Sequence, residues 1–166
     1  MDALLAHIDA AYNLARWLTR DDHDAEDVVQ EAYLRAYKYF HSLERPDGGR
    51  AWLLAIVRNT CYTWLQKNRP AEVVALDEDG DGPAAPAESN PEVIMLQSAQ
   101  RKLVNQALEE LPVVYREVLV MRELEELTYK EIAHVAGIPI GTVMSRLARG
   151  REMLKVAIEK RMRRAS

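Results

Sequence analysis

Thr142, Ser145, Arg146 and Arg149 recur at i, i+3, i+4 and i+7, which on an α-helix puts two hydroxyls and two guanidiniums on one face. Arginine's planar fork matches the O6/N7 edge of guanine or two phosphate oxygens, so such a face can bind nucleic acid. The residues before it prepare the helix. Thr128 with Glu131 three positions on makes a capping box. Ala133 allows a close helix crossing, and Gly137 falls where a turn calls for positive φ. Pro139 suits a first helical turn, where its missing N–H costs nothing. Ile140, Val143, Leu147 and Leu154 form the opposite face, expected to point into the protein. The stretch 127–154 therefore fits a helix-turn-helix, whose second helix can enter the major groove.

Other chemistry finds few candidates. His7, His23, His41 and His134 are scattered, with no paired cysteines and no HxxxH spacing, so no metal site is expected. No glycine-rich phosphate loop and no nucleophile–base pattern stands out. The acids at 21–27 read as the start of a helix, favoured by its dipole, with Asp24 as N-cap. Cys61 is the lone cysteine, which excludes an internal disulfide and reads as a small buried side chain. Neither an enzyme nor a cofactor-binding protein is expected.

The 166-residue chain is long enough for one medium domain or two small ones. Its charge favours two. Residues 1–70 carry 9 Lys/Arg and 10 Asp/Glu, 71–92 carry 7 acids and no base, and 93–166 carry 13 bases and 9 acids. The segment 71–92 also holds three prolines and no aromatic residue, so it is expected to be a flexible acidic linker. No uncharged run reaches the roughly 18 residues of a membrane span, and Asp2, His7, Asp9 and Arg16 interrupt the apolar N-terminus. A cytoplasmic protein without membrane insertion is expected.

Period-two alternation is scarce and periods near 3.6 dominate, so the fold class is all-α: helical domains at 1–70 and 93–166 joined by the linker. Helices are expected over about 2–19, 24–40, 50–68, 93–109, 112–124, 128–136 and 139–160, the third stopped by Pro70. The inner face of the second is expected to include Val28, Ala32, Leu34 with the Arg35 stem, and Tyr39; Trp52, Trp64 and Tyr62 are all core candidates, of which the two tryptophans are expected in the core. On these grounds alone a stand-alone helix-turn-helix regulator and a helical protein-binding adaptor both remain open.

Two further stretches narrow the choice. "DAEDVVQEAYLRAY" at 24–37, "RAWLLAIVRNTCYTWLQKNRP" at 50–70 and the run 111–152 stand in the order seen in extracytoplasmic-function sigma factors, the smallest bacterial sigma subunits, and nearly the whole chain resembles that family. The resemblance implies that the chain binds core RNA polymerase (the β and β′ subunits) and promoter DNA, and pairs with an anti-sigma factor. It implies that Asp27, Gln30, Glu31 and Arg35 face the polymerase clamp. Loop 43–50 would receive a flipped base of the −10 element, and Asn59, Tyr62, Thr63 and Lys67 would meet the non-template strand. It likewise implies that Thr128, Tyr129 and Lys130 meet phosphates, that Thr142, Ser145, Arg146 and Arg149 face the −35 element, and that the acidic linker threads the polymerase interior. Met144 and Ala148 depart from the basic and bulkier residues common in the family, so DNA shape takes a larger share of the expected readout.

Overall fold

The computed structural model describes residues 2–39, 49–74 and 98–165. A first helical group holds α1 (Asp2–Leu5), α2 (Ile8–Thr19), α3 (Asp22–Tyr39), α4 (Gly49–Asn68) and α5 (Pro70–Val74). A second holds α6 (Ser98–Glu109), α7 (Val113–Leu119, running on as a π-helical turn over Val120–Leu124), α8 (Tyr129–Ala136) and α9 (Ile140–Ala165). Every regular element among the described residues is helical.

In the first group α2, α3 and α4 pack mutually. The helix expected over 2–19 breaks between Leu5 and Ile8. Arg20 ends α2 in the left-handed region (φ 60°), its N–H on the Arg16 carbonyl. The N-cap of α3 is Asp21 rather than Asp24: its carboxylate accepts the Asp24 N–H at 3.0 Å. The inner face of α3 is Ala25, Val28, Val29, Ala32 and Ala36. Leu34 and Tyr39 lie outside it, 73% and 54% exposed. Three alanines on this face let α3 lie close to its neighbours, which leaves the larger side chains to the rim. Leu53, Leu54, Val57, Cys61 and Leu65 of α4 complete the core. Pro70 opens α5 instead of merely ending α4, as a residue without a useful N–H can. The expected linker thus starts with a helical turn, and its residues 75–92 lie outside the described ones.

In the second group α9 lies against α6, α7 and α8. Gly150 sits at the close approach of α9 to α7: a Cβ there would meet the Leu119 side chain at 3.3 Å and Tyr115 Cβ at 3.5 Å. After α7 the π-turn and the left-handed Glu126 (φ 54°) lead into α8. They bury Met121 and Leu127 while turning Glu125 toward the first group.

The groups are packed together, α4 on α8 and α2 on α7. Arg116 of α7, only 2% exposed, donates to the carbonyls of Trp17 (2.8 Å) and Leu18 (3.2 Å) at the end of α2. It also donates to Leu111 (2.6 Å) and Glu109 (3.3 Å) in its own group. Arg69 takes the next carbonyl, Thr19, at 2.5 Å. Two arginines thus satisfy carbonyls that have no partner within α2, at the negative end of its dipole. Burial, and then the nearby Arg20, pull the Arg116 pKa down to about 10. Around this centre Asn13 and Arg50 reach Glu125, and Arg16 and Arg20 reach Glu109.

Candidate nucleic-acid interface

The capping box forms: Thr128 Oγ1 accepts the Glu131 N–H at 3.1 Å, and Glu131 accepts the Thr128 N–H at 2.9 Å. Gly137 ends α8 in the left-handed region (φ 67°), its N–H on the Ala133 carbonyl. The Pro139 carbonyl accepts from Thr142 and Val143, opening α9. Val143 and Leu147 are buried, and Leu154 is half-buried. Ile140 was expected to face inward but is 46% exposed, because it stands at the first turn, before α9 meets the core. Met144, one turn on, is 54% exposed.

Thr142, Ser145, Arg146 and Arg149 are half-buried along α9. Ser145 Oγ donates to the Thr142 carbonyl at 3.1 Å, and Arg149 reaches the Tyr115 hydroxyl at 3.5 Å. Thr128 and Lys130 are exposed at the start of α8, and Tyr129 lies half-buried with the Arg122 guanidinium 4.9 Å from its ring centre.

On α3, Asp27, Gln30, Glu31 and Arg35 are all exposed, with Arg35 3.2 Å from Glu31. Gln30 also borders an open apolar groove of about 520 Å³ lined by Leu4, Tyr33, Leu34 and Tyr37.

On α4 the four expected residues separate. Asn59, Thr63 and Lys67 are exposed, whereas Tyr62 is buried at 8%. Tyr62 lies one helical step round from the exposed stripe, facing the second group. Arg58 covers its ring at 3.7 Å and forks onto Glu117 of α7, with Nε to Oε2 and Nη2 to Oε1 both at 3.1 Å. Burial, then the Glu117 charge, hold the Tyr62 pKa well above the ordinary tyrosine value. The tryptophans Trp52 and Trp64 are half-buried against the core, Trp64 under the Arg69 guanidinium. Residues 43–48 of the expected base-receiving loop lie outside the described residues, and Arg50 at its end donates to the Glu125 carbonyl. Glu72, counted among the linker acids, is in α5 and pairs with Arg20 and Arg69.

Arg58, Arg116 and Glu117 were not singled out from the sequence. A signal was available: Arg116 and Glu117 are charged residues inside the apolar run 111–121, and charges flanked that way must find partners when buried.

Comparison with known proteins gives the family and the fold. The profile "Sigma-70 region 2" matches residues 4–70, and "Sigma-70, region 4" matches 101–154. The ECF RNA polymerase sigma-E factor of Escherichia coli K12 is 37% identical over 147 residues, covering 85% of this chain and 77% of the relative. The ECF RNA polymerase sigma factor SigE of Mycolicibacterium smegmatis is 35% identical over 150 residues, covering 90% of this chain and 57% of the relative. Among solved structures, the sigma factor RpoE of Bartonella quintana, crystallised with the anti-sigma factor NepR, aligns with a TM-score of 0.70 and 27% identity over 94% of each chain. CnrH, solved with the cytosolic domain of CnrY, shares the fold at a TM-score of 0.65 and 24% identity, over 95% of this chain and 85% of CnrH. With two region profiles matched in order and relatives of this identity and coverage, the chain belongs to the extracytoplasmic-function group of the sigma-70 family.

Proposed function

We propose that this chain binds core RNA polymerase and directs transcription initiation at promoters that it selects through two separate DNA contacts. The observation that carries the reading is the α8–α9 pair: a capped, glycine-turned helix-turn-helix whose second helix bears Thr142, Ser145, Arg146 and Arg149 away from the buried Val143 and Leu147. It stands in one chain with a region 2 group that offers a polar stripe on α3 and another on α4. A sigma factor acts by positioning polymerase and promoter rather than by catalysis.

In this reading residues 1–70 form the polymerase- and −10-binding domain, 71–92 the linker, and 93–166 the −35-binding domain. Asp27, Gln30, Glu31 and Arg35 meet the polymerase clamp. Asn59, Thr63 and Lys67 meet the separated non-template strand, and Tyr62 joins them once the second group moves off it. Thr128, Tyr129 and Lys130 take phosphates beside the −35 element that α9 reads. The similarity to RpoE of Bartonella quintana, solved with the anti-sigma factor NepR, supports an anti-sigma partner for this chain as well. Its place of work is the cytoplasm, where polymerase and promoter are; no described helix is long and apolar enough to cross a membrane.

The clamp assignment is tested by Asp27→Lys with Glu31→Lys. Both positions are exposed, so helicity should hold while co-elution with core polymerase is lost. Normal co-elution and normal initiation by the double variant would refute it.

A further inference from the structure

We infer that Arg58, stacked on Tyr62, is an anion site that a backbone phosphate of the separated promoter strand occupies in the working complex and that Glu117 fills in the closed chain. The inference rests on the reading of α4 as the strand-facing helix. Its ligand is a phosphodiester of single-stranded DNA.

The geometry is that of a carboxylate standing in for a phosphate. Two guanidinium nitrogens of Arg58 address two oxygens of one carboxylate at 3.1 Å each. A phosphodiester presents two non-bridging oxygens to the same fork. The Tyr62 ring, 3.7 Å from the guanidinium, holds the fork in place whichever anion it binds. The Glu117 side chain is fully buried and that of Arg58 is 15% exposed. Desolvating both ions offsets much of their attraction, so the pair itself adds little to the closed arrangement.

A second observation points the same way. The buried Tyr62 hydroxyl lies beside the same Arg58–Glu117 pair, yet makes no hydrogen bond of good geometry in the closed chain. A buried polar atom left so calls for an explanation, and a contact made only when the second group has moved away supplies one. Arg58 also stands next to the exposed Asn59 on α4, so the site continues the stripe carrying Asn59, Thr63 and Lys67. The closed chain therefore covers part of its own strand-binding surface, and DNA and the second group compete for one arginine.

The test uses holoenzyme reconstituted with the full chain, either wild type or Arg58→Gln, on forked promoter probes. Each phosphate along the single-stranded −10 segment is replaced in turn by an uncharged methylphosphonate. One position should weaken wild-type binding about tenfold, the size of one charge-assisted contact, and leave Arg58→Gln unaffected. The salt slope of the variant should fall by about 0.7, the value for one single-strand phosphate. In the free chain, Glu117→Gln should raise affinity for a single-stranded oligonucleotide severalfold, and adding Arg58→Gln should cancel the gain. Where Glu117→Gln does not fold, the probe comparison, which needs only wild type and Arg58→Gln, decides. Identical methylphosphonate profiles for the two holoenzymes would overturn the site. A wild-type holoenzyme indifferent to every phosphate of that strand would overturn the strand-facing reading of α4 as well.

Discussion

Arg116→Met keeps an aliphatic stem in place and removes every donor. Two of the four carbonyls it serves, those of Trp17 and Leu18, belong to the other helical group. A hydrogen bond to a charged donor contributes about 1.5–3 kcal/mol net. The lower figure applies here, because parting the groups returns both carbonyls to water. The closed arrangement should therefore lose about 3 kcal/mol, a shift of about a hundredfold in the ratio of open to closed chains. The Glu109 and Leu111 carbonyls stay with the α6–α7 turn after opening, so the second group itself should also unfold at lower denaturant. Energy transfer between dyes at His23→Cys and Glu159→Cys, both exposed, reads the separation. The native Cys61 is spared from labelling, because it is buried and burial raises its thiol pKa. Transfer should fall in Arg116→Met. Unchanged transfer with an unchanged unfolding midpoint would refute the claim that Arg116 ties the groups together.

Thr128→Ala should destabilise the second group by about 1 kcal/mol in denaturant titrations, and Thr128→Ser should restore most of it. Gly150→Val should cost about 1–3 kcal/mol through crowding against Leu119, whereas in Gly150→Ala a helix-propensity gain of about 1 kcal/mol should nearly cancel a milder clash. Tyr62 gives a pH dependence: its folded pKa is raised, so its share of closed-state stability is complete below the ordinary tyrosine value and is lost as pH climbs above about 10. Dye-labelled wild type should open in that alkaline range, and Tyr62→Phe should lack that part of the transition.

The helix-turn-helix was legible because its signals are local. A threonine three residues before a glutamate, and a glycine after the last periodic residue, act within a turn of helix whatever surrounds them. Capping at the start of α3 was ambiguous for a related reason: Asp21, Asp22 and Asp24 are all competent caps, and only the backbone path selects Asp21. Periodicity misplaced Leu34 and Tyr39, since a face of small alanines gives a weaker hydrophobic signal than exposed large residues beside it. The π-turn over Val120–Leu124 follows from how Met121 and Leu127 reach the core together, which no residue type announces. For Tyr62 a core position and a strand contact both fit the sequence, and what decides for burial is distant: Arg58, which covers its ring, pairs with Glu117, 55 positions beyond Tyr62, and no periodicity connects positions so far apart.

The most direct measurement is chain-dependent transcription from a promoter library randomised across two upstream blocks, with core RNA polymerase and the purified full chain, read by sequencing transcript 5′ ends. The proposed function requires transcripts only when the chain is present, from templates sharing two separated elements. Selection of the upstream element should relax in Arg149→Ala, by about 1–3 kcal/mol if that arginine reads a base. No chain-dependent transcripts, together with tight duplex binding by the chain alone as a dimer on paired half-sites, would contradict it.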